Sequence, residues 1–270
     1  RYCWGVADRL LSTEDSKRGT TRYGYTPNGQ LEFAEYPDGT QQWRKSDILG
    51  NLYPDPDCTI RRFLKGGVME QDGKWHYEYD KDGNLTERYI GSGKWLDGKK
   101  EHWRYRWNAD GSLAKVIRPD GEEVGFTYDA LGRRLSKTFG TVVTRWLWNG
   151  NVPLHQWKQQ RTYLHRYERW ETDEKRHART LWLFDEESFV PAAMIKEGKT
   201  YSILTDHLGT PTETYDTEGN EVWSRVLDFN GNVIEETGNK GMIPFLFQGQ
   251  YYDRETELAY NRFRYYSPQI

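Results

Sequence analysis

The chain repeats one unit, which is clearest in Trp103-Arg-Tyr-Arg-Trp107, Asn-Ala-Asp110-Gly111 and Ser-Leu113-Ala-Lys-Val-Ile117. Aromatic and polar side chains alternate in the first part, and a period of two is typical of a half-buried β-strand. Asp110-Gly111 then separates this run from the next one. Glycine accepts the positive φ that a tight hairpin turn needs, and aspartate bonds back to nearby amides. The segment therefore predicts a strand, a tight turn and a second strand.

The same pattern recurs around four turn glycines. Aromatic residues precede each glycine by six and four positions, and a leucine follows it after two positions in three cases and three positions in the fourth. Repeats of this length indicate a stacked or spiral architecture, in which each unit buries its face against its neighbours. The sets are Tyr23, Tyr25, Gly29 and Leu31; Tyr77, Tyr79, Gly83 and Leu85; Tyr105, Trp107, Gly111 and Leu113; and Phe126, Tyr128, Gly132 and Leu135, with further glycines at Gly39, Gly93 and Gly121.

The composition agrees with a sheet built from rings. Only 36% of the 270 residues are hydrophobic, yet 15% are aromatic, with 12 Trp and 19 Tyr. Rings bury a large area and tolerate a wet edge, which suits a sheet with one face on solvent or a cavity. The net charge of −3 gives no support for a nucleic-acid or anionic-membrane partner. No apolar run approaches the roughly 20 residues of a membrane span.

The pattern divides the chain into two regions. Residues 1–140 carry the repeats, with an inserted loop expected near 46–70 because Pro54 and Pro56 exclude a central strand. Residues 141–270 form the second region, and none of its stretches predicts a long amphipathic helix. Within it, residues 158–179 are dense in charge of both signs, which favours a solvated hairpin over a basic patch.

Two cysteines, Cys3 and Cys58, cannot form a disulfide framework. We expect two buried thiols, and a single disulfide between them is the alternative.

No motif predicts catalytic, metal-binding or cofactor-binding residues. The phosphate-loop, calcium-loop and zinc spacings are incomplete, and adjacent acids on a strand point to opposite faces. We therefore predict no site residue, metal or cofactor. The candidate segments that do not meet these requirements are Gly198-Lys199-Thr200, Asp80-Lys-Asp82-Gly83-Asn84, Asp206-His207, Glu235-Glu236 and Asp185-Glu186-Glu187, and we expect His207 to lie in an ordered turn or an interface.

Beyond about residue 141, a series of motifs occurs in a characteristic order: Trp146-Leu-Trp-Asn149-Gly150; Ser188-Phe189-Val190-Pro191; Thr205-Asp206-His207-Leu208-Gly209-Thr210-Pro211; Gly219-Asn-Glu-Val-Trp223; Leu227-Asp228-Phe229-Asn230-Gly231; Phe247-Gln-Gly249-Gln250-Tyr251-Tyr252-Asp253; and Leu258, Tyr260-Asn261-Arg262, Arg264-Tyr265-Tyr266 and Pro268. These residues resemble the Rhs-associated core region of the Rhs/YD-repeat family, and the repeats of 20–140 extend the resemblance. Glu257 departs from it, because the family has glycine there.

The resemblance implies a fold. It implies an all-β protein in which YD-repeat hairpins form a curved, spiralling antiparallel sheet that is part of a hollow shell. Residues 141–270 would then lie on the side where the core region closes the shell.

The resemblance also implies a cargo. A toxic domain lies beyond the core region in the family, and many members free it by aspartyl self-cleavage at a motif of the form Gly-Arg-Phe…Asp-Pro-x-Gly-Leu. The sequence stops at Gln269-Ile270 before such a motif, and it begins at Arg1 inside what resembles a repeat. We therefore expect a piece of a longer protein that lacks both the self-cleavage motif and the toxin.

Three functions remain as hypotheses. The first is a non-catalytic shell segment of an exported bacterial toxin-delivery protein, cytoplasmic before delivery. Its partners would be its own C-terminal toxin domain and a secretion apparatus, with no nucleic acid and no membrane span. The second is a carbohydrate-binding or cell-surface-binding module, which would present its aromatic rings in open grooves. The third is a truncated aspartyl self-protease.

Overall fold

The protein consists of β-strands joined by short turns, as seen in a computed structural model that describes residues 1–91 and 100–270. Among these residues the only helices are 3-10 turns at Val6–Asp8 and His165–Tyr167. In the first part of the chain the strands are β1 (Tyr2–Trp4), β2 (Leu10–Asp15), β3 (Gly19–Tyr25), β4 (Leu31–Glu35), β5 (Gln41–Trp43), β6 (Lys45–Ser46), β7 (Leu52–Tyr53), β8 (Arg61–Leu64), β9 (Val68–Asp72), β10 (Trp75–Tyr79) and β11 (Leu85–Ile90).

The later strands are longer on average. They are β12 (Lys100–Trp107), β13 (Leu113–Ile117), β14 (Glu123–Tyr128), β15 (Arg134–Phe139), β16 (Val142–Asn149), β17 (Val152–Leu164), β18 (Arg169–Thr172), β19 (His177–Phe184), β20 (Pro191–Lys196), β21 (Lys199–Thr205), β22 (Pro211–Tyr215), β23 (Glu221–Leu227), β24 (Val233–Gly238), β25 (Tyr251–Asp253), β26 (Leu258–Asn261) and β27 (Arg264–Tyr266). The pairings of successive strands are antiparallel. The predicted all-β fold of antiparallel hairpins is confirmed.

One turn geometry recurs along the chain. At the turn between β12 and β13 the amide of Gly111 donates to the carbonyl of Asn108 over 3.0 Å, and the amide of Asn108 donates to Ser112 over 2.8 Å. Gly111 has a φ of +78°, which only glycine adopts at little cost. This is a three-residue hairpin loop, and the same two bonds close the turns at Gly29, Gly39, Gly50, Gly121, Gly132, Gly209, Gly219 and Gly231.

The four glycines predicted to lie in turns have positive φ, as expected for Gly29, Gly83, Gly111 and Gly132. Gly93, which was expected to repeat the pattern, lies outside the described residues. The segment predicted as a loop is only partly irregular. The two prolines precede β8, but β8 and β9 then form a hairpin around Gly66 and Gly67, both with positive φ.

The chain divides into two compact units, of which the first comprises residues 1–80 and 87–101. It contains a five-stranded sheet in the order β1-β2-β3-β4-β5, the two-stranded pair β6–β7, and the consecutive pairs β8–β9 and β9–β10. Its cysteines correct one expectation: the thiols are unpaired as expected, but Cys3 is exposed and Cys58 is half-buried. The prediction that both are buried was wrong: Cys3 lies on β1, which has no covered face, and Cys58 lies in a turn before β8.

The second unit comprises residues 81–86 and 102–270. From β12 to β17 each strand pairs with the next. Strand β17 pairs with both β18 and β19, and from β19 each strand again pairs with the next as far as β24. Strands β25, β26 and β27 form a separate three-stranded sheet. Strands β16 and β17 form a hairpin that turns at Asn149-Gly150. The division at residue 140 that the sequence predicts stays a prediction.

The core of the second unit joins the large sheet to its last residues. We call residues 239–270 the C-terminal segment. One face of the sheet contributes Trp146, Trp182, Met194, Ile203 and Trp223, and the C-terminal segment contributes Met242, Ile243, Phe245, Tyr251 and Tyr260. Burying these rings fixes the segment on that face, since each aromatic side chain removes a large apolar area from water.

Candidate functional site

A buried charge lies at the centre of this packing. Asp253, on β25, is 0% exposed, and Arg134, at the start of β15, is 1% exposed. Both guanidinium NH2 groups of Arg134 donate to the Asp253 carboxylate, one of them over 3.2 Å. A bidentate pair of this kind is directional as well as strong, so it fixes the position of β25 over β15.

Rings surround the Arg134 guanidinium. Its Cζ lies 4.5 Å from the ring centroid of Trp146 and 4.6 Å from that of Tyr260. Phe126 and Tyr251 complete the enclosure at 5.4 Å and 5.1 Å. Such faces attract a cation, which offsets part of the cost of removing it from water.

A second cation completes the cluster. The Nζ of Lys137 donates to Asp253 over 2.9 Å and to Glu255 over 2.8 Å. Arg118 also reaches this region, where its guanidinium donates to the carbonyl of Glu255 over 2.5 Å. We call Arg134, Lys137, Asp253 and Glu255 the charge cluster. It joins one strand of the sheet to the turn that follows β25.

Hydroxyl groups add a second set of bonds between the same elements. The hydroxyl of Tyr260 donates to the carbonyl of Gly132 and accepts from the amide of Arg134, each over 3.0 Å. Tyr128 donates to the carbonyl of Leu113 over 2.8 Å and is 2.6 Å from the hydroxyl of Tyr265. The polar ends of these buried rings are therefore paired, as buried hydroxyls require.

A separate arginine holds the start of the C-terminal segment. Arg225, on β23, is buried and donates to the carbonyls of Ile243 and Phe245. Residues 243–245 are not part of a strand, so these carbonyls have no ladder partner to satisfy them. Nearby, Glu236 accepts from the indole of Trp223 over 2.8 Å and forms an ion pair with Arg254.

The electrostatics keep the cluster charged. Burial raises the pKa of Asp253, but Arg134 and Lys137 outweigh it, so the pKa lies below its usual range. Burial lowers the pKa of Lys137, and Asp253 and Glu255 more than compensate, so the pKa is raised. A carboxylate held ionised by two cations is a poor proton donor or acceptor near neutral pH. The arrangement therefore anchors a segment rather than transferring protons.

Comparison with known proteins identifies the family. The Teneurin YD-shell family profile matches residues 6–270. The chain belongs to the Teneurin YD-shell family. Double-stranded DNA deaminase toxin A of Burkholderia cenocepacia is 27% identical over 291 residues, which cover 100% of this chain and 20% of that protein. Toxin protein Tse5 of Pseudomonas aeruginosa is 29% identical over 306 residues, which cover 100% of this chain and 22% of that protein.

The chain spans about a fifth of the length of these curated relatives. Among solved structures, a crystal structure of TcdB2-TccC3 without the hypervariable C-terminal region superposes with a TM-score of 0.47 at 14% identity, over 100% of this chain and 17% of that one. The resemblance to Rhs proteins is confirmed, and the chain is a segment of a YD-shell.

Within this YD-shell segment, Asp206 and Glu236 serve local structure. The Asp206 carboxylate accepts from the amides of Leu208 and Thr210 over 2.9 Å each, so it closes a hairpin turn. Glu235 and Glu236 are neighbours on β24, and Glu236 forms the ion pair described above. Among the described residues, no group of three or more His, Cys, Asp or Glu side chains could hold a metal ion. In the same residues, no helix has the length and apolarity to cross a bilayer.

Sequence reasoning missed the charge cluster of the YD-shell segment, although one signal was present. Leu31, Leu85 and Leu113 follow their turn glycines by two positions, and Arg134 holds that position after Gly132. Leu135, three positions after Gly132, is 39% exposed on the opposite face. A β-bulge between Thr127 and Tyr128 places Arg134 opposite Tyr128, just as Leu113 lies opposite Trp107. An arginine at a repeat position that otherwise takes leucine was thus the available sign of a buried ion pair.

The charge cluster predicts how the stability of the unit depends on pH. The pKa of Asp253 is lower in the folded protein than in the unfolded chain. Its contribution to the free energy of unfolding is therefore fully present above the unfolded-state pKa of about 3.9, and it is lost as the pH falls through the folded-state pKa. We expect the difference in urea midpoint between wild type and Asp253→Asn to be constant from about pH 5 to 8. It should then shrink below about pH 4. An unchanged difference at pH 3 would show that Asp253 does not contribute through its charge.

Proposed function

We propose that this chain is a non-catalytic part of an exported bacterial toxin-delivery protein, in which the shell encloses a toxin domain that follows residue 270. The observation that carries the proposal is the attachment of the C-terminal segment to one face of the sheet by the charge cluster. A segment fixed in this way gives whatever follows it a defined starting point. Two relatives that cover the whole chain are named as toxins, which supports a toxic cargo.

The distribution of the rings supports a wall rather than a carbohydrate-binding module. A binding module of this composition would present rows of rings to solvent. Here most aromatic side chains of the described residues are buried or half-buried. Those that are exposed are Tyr2 and Trp4 on β1, Tyr163, Tyr167 and Trp170 at 163–170, and Phe189 and Phe263, which line one pocket.

The chemistry of the cluster supports a structural role over self-cleavage by these residues. Aspartyl proteolysis uses two carboxylates that share a proton, which requires one of them to be protonated. The Asp253 carboxylate instead receives bonds from two cations, and its pKa lies below the usual range. We therefore assign the cluster to holding the chain in place.

Before delivery the whole protein would reside in the cytoplasm, with a secretion apparatus as partner.

Protease protection in the full-length protein tests the proposal. We would express the complete coding sequence and follow the domain beyond residue 270 during digestion. We expect the attached domain to survive at least about tenfold longer than the same domain expressed alone, because an enclosed chain must open before it is cut. Asp253→Asn should shorten that survival by loosening the C-terminal segment.

The matched control is Glu123→Gln. Glu123 pairs with Lys115 over 2.6 Å on the surface of the same sheet, so its loss should leave the protection unchanged. If the attached domain is digested as quickly as the isolated one, the shell does not enclose it and the proposal is wrong.

A further inference from the structure

One hairpin extends beyond the rest of the sheet in the second unit. Strand β17 pairs with β16 up to Gln160 and with β19 up to Lys158. Beyond these residues β17 pairs with β18, from Arg161 opposite Thr172 to Leu164 opposite Arg169. We call residues 161–172 the ribbon. A two-stranded ribbon is only marginally stable by itself in water, so contacts between its side chains have to stabilise it.

The ribbon carries a group of exposed rings. Tyr163 lies directly opposite Trp170, with their ring centroids 5.4 Å apart, and Tyr167 lies at the tip. All three are exposed, and Trp170 is 47% exposed. Grouped rings on a protruding element mark an interaction surface, since scattered apolar residues are normal but clusters are not.

Arginines accompany these rings. The Cζ of Arg161 lies 4.1 Å from the ring centroid of Trp170, and those of Arg166 and Arg169 lie 5.7 Å and 5.6 Å from Tyr167. The ribbon contains three arginines against two glutamates, Glu168 and Glu171, a net charge of +1, whereas the chain has −3. The local charge is therefore opposite in sign to that of the whole protein and calls for an anionic partner.

The kind of partner follows from how rings and cations are arranged. Nucleic-acid bases need open ring faces on which to stack, but guanidinium groups lie over Trp170 and Tyr167. A protein partner would need a groove shaped to a thin ribbon. A lipid surface needs neither open ring faces nor a groove, because phenol and indole rings lie at the headgroup level while arginines bind the phosphates. No large aliphatic side chain is exposed on the ribbon, which suits shallow contact rather than insertion.

We propose that the ribbon is a membrane-surface contact that binds anionic phospholipid headgroups through Tyr163, Tyr167 and Trp170 together with Arg161, Arg166 and Arg169. This inference does not depend on an enclosed toxin. It assigns a second property to the chain, namely recognition of a lipid surface by a hairpin that contains no residue of the charge cluster.

Vesicle flotation tests the inference. The protein would be mixed with vesicles of equal parts phosphatidylcholine and phosphatidylglycerol, and in parallel with phosphatidylcholine alone. We expect flotation with the anionic vesicles, weak or no flotation with the neutral ones, and loss of binding at high salt, because each arginine near an anionic surface contributes about 1 kcal/mol that salt screens.

Matched variants distinguish the ribbon from the rest of the chain. Trp170→Ala and Arg169→Glu should each weaken flotation by about tenfold. Trp4→Ala removes an indole that is 50% exposed on β1, and Arg44→Glu reverses one exposed charge elsewhere, so both should bind like wild type. Circular dichroism would check that all four variants keep the wild-type fold.

Three outcomes would overturn the inference. They are equal flotation with neutral and anionic vesicles, unchanged flotation of both ribbon variants, and no flotation with either lipid. Binding of an oligothymidine by wild type but not by Trp170→Ala, without flotation, would assign the ribbon to single-stranded nucleic acid instead.

Discussion

Replacing Asp253 with asparagine is expected to destabilise the second unit by about 3 to 5 kcal/mol, because the change leaves a buried Arg134 without its counter-charge. The side chain keeps its size, so loss of charge rather than a cavity accounts for the effect. Arg134 cannot escape the cost by losing its proton, since a guanidinium stays charged under all ordinary conditions. Urea denaturation at neutral pH, followed by the near-ultraviolet signal of the many tryptophans, would measure the change.

Glu123→Gln provides the comparison for that measurement. It removes the charge of a carboxylate that also pairs with a lysine, but both partners are on the surface. A pair of this kind contributes about 0 to 1 kcal/mol. If the free energy of unfolding falls by the same small amount in both variants, burial does not strengthen the Asp253 ion pair. The anchoring role assigned to that pair is then wrong.

The fold could be predicted from the sequence because its determinants are local. Alternating rings and turn glycines specify strands and hairpins within about ten residues, and this is how β12 to β15 are built. The β8–β9 hairpin was missed because Pro54 and Pro56 suggested a longer irregular segment. Its Gly66-Gly67 pair was nevertheless a hairpin signal.

The charge cluster could not be predicted in the same way, because its members come together only in the folded chain. Arg134 and Asp253 are separated by 119 positions. No local period connects an arginine after one turn with an aspartate in a motif near the end of the chain. The sequence did show Tyr251-Tyr252-Asp253 as part of a motif, but the motif alone does not indicate that its carboxylate faces inward.

A compensating pair of substitutions should recover much of the lost stability. Asp253→Leu alone leaves Arg134 unpaired and is expected to cost about 3 to 5 kcal/mol. Adding Arg134→Leu removes the stranded charge, and we expect the double variant to regain at least about 2 kcal/mol, since apolar groups often replace a buried ion pair without loss. Leu113 shows that the repeat accepts leucine at this position, where it is fully buried.

The double variant should keep the wild-type fold because Lys137 remains paired with Glu255. Its Nζ still has Glu255 at 2.8 Å after Asp253 is removed, so no second charge is stranded. The coupling energy from the four urea midpoints would measure the interaction between positions 134 and 253 directly. If the two substitutions are additive, their side chains do not interact. The rings around Arg134 would then hold the C-terminal segment by themselves.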